Sequence, residues 1–317
     1  MRAYLIRRIL LIIPTLLLVT MIIFFLVQII PGSAMESILA DFEYRYQESD
    51  LAAMKEALGI DVPVHVQYVR WLGGILRGDL GDSLWTGRPV LGEIIQKLPV
   101  SGELGLMAVI TGLLIAIPIG TYSAIRQDTA GDYISRSLAI LAIAIPGFWL
   151  GTMIFVYPSI WWNWTPRVEY IPFIENPLGN LGQFMLPGFV LGMHLSGTTM
   201  RMTRTMMLEV LRQDYIRTAW SKGLGERAVV FQHALKNALI PVVTLVGLQI
   251  SIVLGSAVVI EQIFVLPGLG SYLLESINRR DFIVLSGINL FVATGVMVFN
   301  LIVDLTYAYL DPRVQYK

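Results

Sequence analysis

The chain has 317 residues, 55% of them hydrophobic and only 15% charged, with no cysteine and with Lys+Arg equal to Asp+Glu at 23 each. A soluble domain carries about 25% charged residues, so a mean hydropathy of +0.67 and this shortage of polar surface point to an integral membrane protein. The charge balance argues against a nucleic-acid binder, the hydrophobicity against disorder, and the missing cysteines with three scattered histidines against thiol chemistry or a resident metal.

A membrane-spanning helix takes about 20 apolar residues, and six stretches qualify. The first, Ile9 to Ile30, follows Arg2, Arg7 and Arg8. It is too long for a signal-peptide core and lacks a small-x-small cleavage site, so it reads as an uncleaved span. The second is Leu104 to Ile125. The third is Ser137 to Ile160, interrupted by Pro146 and Pro158. The fourth, Phe184 to Met200, is the weakest, with Gly188, Gly192, His194 and Gly197 inside it. Pro241 to Ile260 and Ile283 to Leu305 are the fifth and sixth. Placing both termini on the cytoplasmic side puts 14 of the 23 cations inside. Of the nine outside, six lie in one long loop, where the positive-inside rule is weak.

Two stretches are neither spans nor short loops, within what reads as one membrane domain over residues 1–317. Residues 31–102, outside, hold ten acids against six bases. Asp50 to Leu58, closed by Gly59, and Val62 to Leu76 both read as helices. Residues 201–240, inside, read as helix, glycine-rich turn, short helix, helix. Gly223 and Gly225 interrupt apolar residues at helical spacing, and arginines and lysines surround them. That pattern suits a short helix docked in a partner's groove. It also suits an amphipathic helix lying on an anionic leaflet.

Seven motifs in order carry a resemblance that covers nearly the whole chain. Arg217-Thr218-Ala219 with Gly223 matches the EAA-type loop of ABC importer permeases, in the form used by the dipeptide/oligopeptide/nickel group. The others are Pro31-Gly32, Leu58-Gly59-Ile60-Asp61, Gly78 to Ser83 with Pro89-Val90, Phe264 to Gly270, Arg279-Arg280-Asp281 and Asp311-Pro312-Arg313. Two departures stand out. Arg217 occupies the first EAA position in place of Glu, and the closing Ile-x-Leu-Pro has its nearest match late, at Leu239-Ile240-Pro241.

The resemblance implies an all-α, six-span type I ABC importer permease fold with a helical external segment, in a bacterial or archaeal cytoplasmic membrane. It implies a second homologous permease, two cytoplasmic ATPase subunits and an extracytoplasmic substrate-binding protein, with no nucleic acid among the partners. The chain has no Gly-x4-Gly-Lys-Ser/Thr, so energy comes from a partner or from an ion gradient; the resemblance implies that the partner subunits bind ATP and Mg and that this chain binds no cofactor. Arg217, Ala219, Gly223, Leu224, Gly225, Glu226 and Arg227 would couple to the ATPase. Asp79, Ser83, Glu261, Pro267 and Gly268 are candidates for binding-protein docking or gating. Gly78 to Ser83 also reads as a tight turn in which Asp79 and Ser83 bond local backbone. The substrate class would be dipeptides, oligopeptides, nickel chelates, glycans or glutathione.

Polar groups at membrane depth face cavities or neighbouring helices. Gln28, Gln249 and Asn289 are the candidates for lining the pathway. His194 reads as a buried, hydrogen-bonded histidine or a pH-sensitive group, and Asp304 as a cap at the inner end. Trp161, Trp162 and Trp164 read as an interfacial belt. The alternatives are a secondary transporter, for which no inverted repeat and no mid-span acid stands out, and a membrane enzyme, for which no catalytic motif is present.

Overall fold

The computed structural model describes residues 2–29, 62–165 and 169–310. Among them every regular element is a helix, apart from an isolated antiparallel bridge between Asp82 and Pro89. The helices are α1 (Arg2–Ile29), α2 (Val64–Ile75), α3 (Val90–Ile125), α4 (Ala130–Ala144), α5 (Gly147–Trp162), α6 (Pro177–Leu211) and α7 (Asp214–Ser221). A single turn, α8 (Glu226–Ala228), and a π-helix (Val229–Leu235) lead into α9 (Lys236–Ile263). Then come α10 (Leu269–Asn278) and α11 (Phe282–Leu310). The helix expected over Asp50–Leu58 lies outside the described residues, and the one expected over Val62–Leu76 is α2.

Leu10–Ile29, Val90–Ile125, Glu226–Val253 and Phe282–Val303 are long and apolar enough to cross a membrane. The third expected span is a pair of helices instead of one. Proline lacks an N–H and pushes the residue before it toward extended backbone. Ile145 accordingly sits at φ −77°, ψ 122°, so α4 stops at Ala144 and α5 restarts at Gly147, bent by 92°. Pro158, by contrast, is carried inside α5.

The fourth expected span lies within α6, which runs unbroken past Met200 to Leu211. Its glycines lower its hydropathy for a packing reason. A Cβ on Gly188 would fall 2.5 Å from Met107 Cγ, and one on Gly197 2.7 Å from the Ala139 carbonyl oxygen. A Cβ on Gly192 would collide with the Ala108 carbonyl. Small residues let helices approach where hydrocarbon tails supply no hydrophobic driving force. So α6 is the buried centre against which α3 and α4 lie, with Phe184, Leu195 and Met207 fully covered.

The chain divides into two compact units, one built from residues up to Pro99 with Tyr272–Leu301, the other from Val100–Ser271 with the helix from Ile302. In the first, α1 meets α2 through aromatic edges: Phe24 lies 5.4 Å from Tyr68 and 5.6 Å from Trp71. The Thr20 and Tyr68 hydroxyls share a 3.0 Å hydrogen bond. In the second, Val100, Leu104, Phe184, Leu195, Val253 and Ile260 belong to one large buried cluster among the described residues.

Candidate functional site

The segment between α6 and α9 is organised by what it buries. Ile216 and Ala219 of α7, Val229, Val230 and Ala234 of the π-helix, Met207 of α6 and Ala124 of α3 close one apolar cluster. Holding this base inward turns the remaining side chains outward. Arg217, Gly223, Leu224, Gly225, Glu226 and Arg227 are all exposed, whereas Ala219 is a core residue. Gly223 sits at φ +75° in the turn after α7, where a side chain is strained by about 1–2 kcal/mol, and a Cβ there would meet no atom within 4 Å. Tyr215, Trp220, Leu224 and Phe231 are 43%, 46%, 37% and 59% exposed. Large apolar side chains left open beside Arg217, Lys222 and Arg227 form a surface suited to a protein partner.

An ion pair lies beneath this segment. Arg204 of α6 meets Asp132 of α4 with Nε at 2.8 Å from Oδ1 and a terminal nitrogen at 2.7 Å from Oδ2. The Ser123 hydroxyl and the Asp128 N–H also donate to Asp132, whose side chain is fully buried. The fork geometry makes this a strong, specific contact. It was not legible in the sequence, because its members lie 72 residues apart.

The Phe264–Gly270 turn after α9 is built on a carboxylate. Glu261 is fully buried. Its oxygens accept from the Ser101 hydroxyl at 2.5 Å and the Ser271 N–H at 2.9 Å. Ser101 accepts in turn from the Leu269 N–H at 2.8 Å. A Cβ on Gly268 would lie 2.5 Å from the Glu261 carboxyl carbon, so only glycine fits there. Val265 takes φ 54° to complete the turn, and Pro267 is half-buried. Glu261 therefore shapes the turn from within, and Ser101, with no motif around it, is a partner that the sequence reading missed.

A second turn repeats the design with other residues. Ser83 is buried and donates to Asp281 Oδ2 at 2.7 Å. The Leu84 and Val284 N–H groups also donate to that carboxylate. Ser83 accepts from the Trp85 and Thr86 N–H groups, and the Trp85 indole N–H reaches the Arg279 carbonyl at 2.8 Å. Asp79, exposed, accepts locally from the Gly81 N–H at 2.8 Å. Gly81 adopts φ +85°, and a Cβ on it would lie 2.8 Å from Ile283. Two of the sequence motifs, Gly78–Ser83 and Arg279–Asp281, are thus halves of one hydrogen-bonded unit.

A further buried contact involves Glu103, which accepts from the Tyr170 hydroxyl at 2.8 Å and the Asn180 amide at 2.6 Å. Burial, and then Glu103, push the Tyr170 hydroxyl up to about 12. Trp161 and Trp162 are exposed, as a membrane-interface belt requires. Trp164 instead packs on the large buried cluster.

A cavity of about 540 Å³ opens between the α4–α5 break, α6 and α9. His194, Thr198, Gln249 and Ser256 are polar groups on its wall. Gln249 is 8% exposed, and its Oε1 accepts from Thr198 at 2.7 Å. Its Nε2 is covered and has no partner among the described residues. The other two lining candidates sit elsewhere. Gln28 is exposed and donates to Gln67 at 3.4 Å, and Asn289 is exposed and bonds the Leu285 carbonyl of its own helix. His194 is exposed on the cavity wall, not buried as a core histidine. The Asp304 side chain lies outside the described residues.

Long apolar helices, the close approaches at the glycines of α6 and the exposed apolar side chains between α6 and α9 describe a helical membrane protein. The chain belongs to the family described as binding-protein-dependent transport system inner membrane component. That family model matches residues 116–316, and the companion model for the N-terminal part matches residues 1–104. The chain is 38% identical to the dipeptide transport system permease protein DppB of Alkalihalophilus pseudofirmus over the full length of both. It is 37% identical, again over both full lengths, to the DppB of Escherichia coli K12, and 38% to a putative peptide transport system permease protein of Brucella abortus. Solved structures support the fold. An amino acid ABC transporter with histidines aligns with TM-score 0.53 at 13% identity, over 69% of this chain and 94% of that one. The inward-facing MetNI methionine ABC transporter aligns with TM-score 0.53 at 12% identity, over 69% and 96%.

Proposed function

We propose that this chain is one of two homologous permease subunits of an ATP-driven, binding-protein-dependent importer of di- and oligopeptides, and that it forms half of the pathway. The observation that carries the reading is the segment between α6 and α9, whose exposed Tyr215, Trp220, Leu224 and Phe231 stand on a fully buried base. In this reading two ATPase subunits bind ATP and Mg in the cytoplasm. One of them holds residues 217–230 in a groove. Closure of the ATPases moves that segment, and the helices packed on its base move with it, which biases a two-state equilibrium between inward- and outward-open forms. A soluble binding protein delivers substrate from outside the cell, and the turn shaped by Glu261 with Gly268 and the turn shaped by Ser83 with Asp281 are each candidates to meet it. Both termini lie in the cytoplasm of a bacterial or archaeal cell. The peptide substrate is inferred from the names of the relatives.

Gly223→Arg tests the reading. The side chain would project from a left-handed turn into space that the chain itself leaves empty. Purified in mild detergent, the variant is expected to keep the second permease, to lose the ATPase chains, and to abolish peptide uptake in membrane vesicles. Uptake at the unsubstituted rate would overturn the assignment.

A further inference from the structure

The surface between α6 and α9 carries a charge signature as well as an apolar one. Over residues 212–236 the exposed cations are Arg212, Arg217, Lys222, Arg227 and Lys236, and the exposed acids are Asp214 and Glu226. Glu209, the next acid before that stretch in the chain, stands near the end of α6. Arg217 meets Asp214 at 3.3 Å, with the two side chains 75% and 96% exposed. A surface pair of this kind contributes little. Arg212, Lys222, Arg227 and Lys236 have no ion pair among the described residues. Cations alone would follow from a cytoplasmic position. A helix lying on an anionic leaflet adds to them one continuous apolar face. Here that face is used up, because Ile216 and Ala219 of α7 turn into the buried cluster. The exposed Tyr215, Trp220, Leu224 and Phe231 are instead distributed over α7, the turn and the π-helix, interleaved with the cations. The Asn237 amide donates to the His233 carbonyl at 3.1 Å and to the Tyr215 hydroxyl at 2.8 Å. It ties α7 to the start of α9 and fixes the arrangement before a partner arrives, which lowers the cost of binding.

Aromatic residues and arginine are the types enriched at protein interfaces, and cations without partners favour a surface of opposite sign. We propose that the ATPase surface docked here is acidic, with an apolar floor under Trp220, Leu224 and Phe231 and a rim of aspartates and glutamates facing Arg217, Lys222 and Arg227. The proposal rests on the importer reading above and deepens it by naming the chemistry of the partner's groove. Arg217 exchanges its loose contact with Asp214 for a carboxylate of the partner. Lys222 and Arg227 stand on either side of the open turn at Gly223 and Gly225, so they meet the two sides of the groove's mouth. Rim charges of this kind speed association and make it sensitive to salt.

The experiment uses the complex purified in mild detergent without anionic lipid, its own ATPase chains being stripped and added back as the probe. Their affinity for the permease pair is measured at about 50 mM and about 500 mM sodium chloride, between which the Debye length falls about threefold. Expected is an affinity about tenfold weaker at the higher salt. Lys222→Glu and Arg227→Glu are each expected to weaken binding about tenfold at the lower salt and by less than about threefold at the higher, with the second permease still bound. Should a reversal cost the second permease, Lys222→Gln and Arg227→Gln take its place, with a smaller loss and the same salt dependence. A carbodiimide joins an amine to a carboxylate in contact with it, as an amide with loss of water. It is expected to link Lys222 to an aspartate or glutamate of an ATPase chain, read by mass spectrometry. An affinity indifferent to salt and to both reversals would overturn the acidic groove and hand the cations to the leaflet. Linkage of Lys222 only to carboxylates of the permeases, in a complex that retains its ATPase, would overturn it as well. No ATPase bound by the unsubstituted chain at either salt would instead overturn the importer reading on which the proposal rests.

Discussion

The turn after α9 and the segment before it place their chemistry on opposite sides of the backbone. In the turn, Glu261 points inward, and the outer surface is backbone bent around it by bonds to Ser101 and Ser271. In the segment, the inward groups are Ile216, Ala219 and Val229, and the distinctive side chains point out. The difference teaches how to read motif residues of the two kinds. A buried carboxylate in a turn acts through the shape it imposes, and substituting it disturbs folding. An exposed apolar side chain on a buried base is free to act through contact, and substituting it is expected to spare the fold.

The largest expected effect comes from the foundation of the outward segment. Arg204→Ala leaves the Asp132 carboxylate buried without its guanidinium, at a cost of about 3–5 kcal/mol. A clear fall in the melting temperature of the detergent-solubilised chain checks it, and no fall would mean that the segment does not rest on this pair. Gly268→Ala comes next. Its Cβ would press on a carboxylate that Ser101 and Ser271 hold in place, and overpacking of this kind costs about 1–3 kcal/mol. The melting temperature should drop, and Glu261→Gln, which thins the crowded group's charge but not its size, should not rescue it. The smallest effect belongs to Arg217→Ala. Arg217 is exposed, and its 3.3 Å contact with Asp214 is a surface pair of the kind that contributes little. The melting temperature should stay unchanged while uptake falls, and a fall in both would erase the distinction between the two regions.

Much of the helical order was legible because long apolar runs dictate it. The second, fifth and sixth expected spans fall inside α3, α9 and α11, and the interruption at Gly223 and Gly225 lies where α7 gives way to α8. Gln249 could be picked out because an amide in an apolar helix needs a reason to be there. Other features could not be read locally. Pro146 announces a break, but the 92° bend depends on what α4 and α5 pack against. The glycines of α6 lower its hydropathy, so the most buried helix looked the weakest. Serine partners lie 160 and 198 residues from Glu261 and Asp281, and a hydroxyl needs no flanking pattern to serve as a donor. Gln28 and Asn289 resembled Gln249 in residue type, but both are exposed, Gln28 bonded to Gln67 and Asn289 to the Leu285 carbonyl of its own helix.

Val265 carries a consequence for anyone handling the molecule outside its membrane. It is a β-branched residue at φ 54°, a conformation that costs on the order of 1–3 kcal/mol. Its side chain is 44% exposed, so little burial offsets that strain. The turn is held shut by Glu261 against the preference of one of its own residues. Glycine or asparagine, both at ease in the left-handed region, would remove the opposition without touching the carboxylate. The position is one where a single codon could thermostabilise this permease.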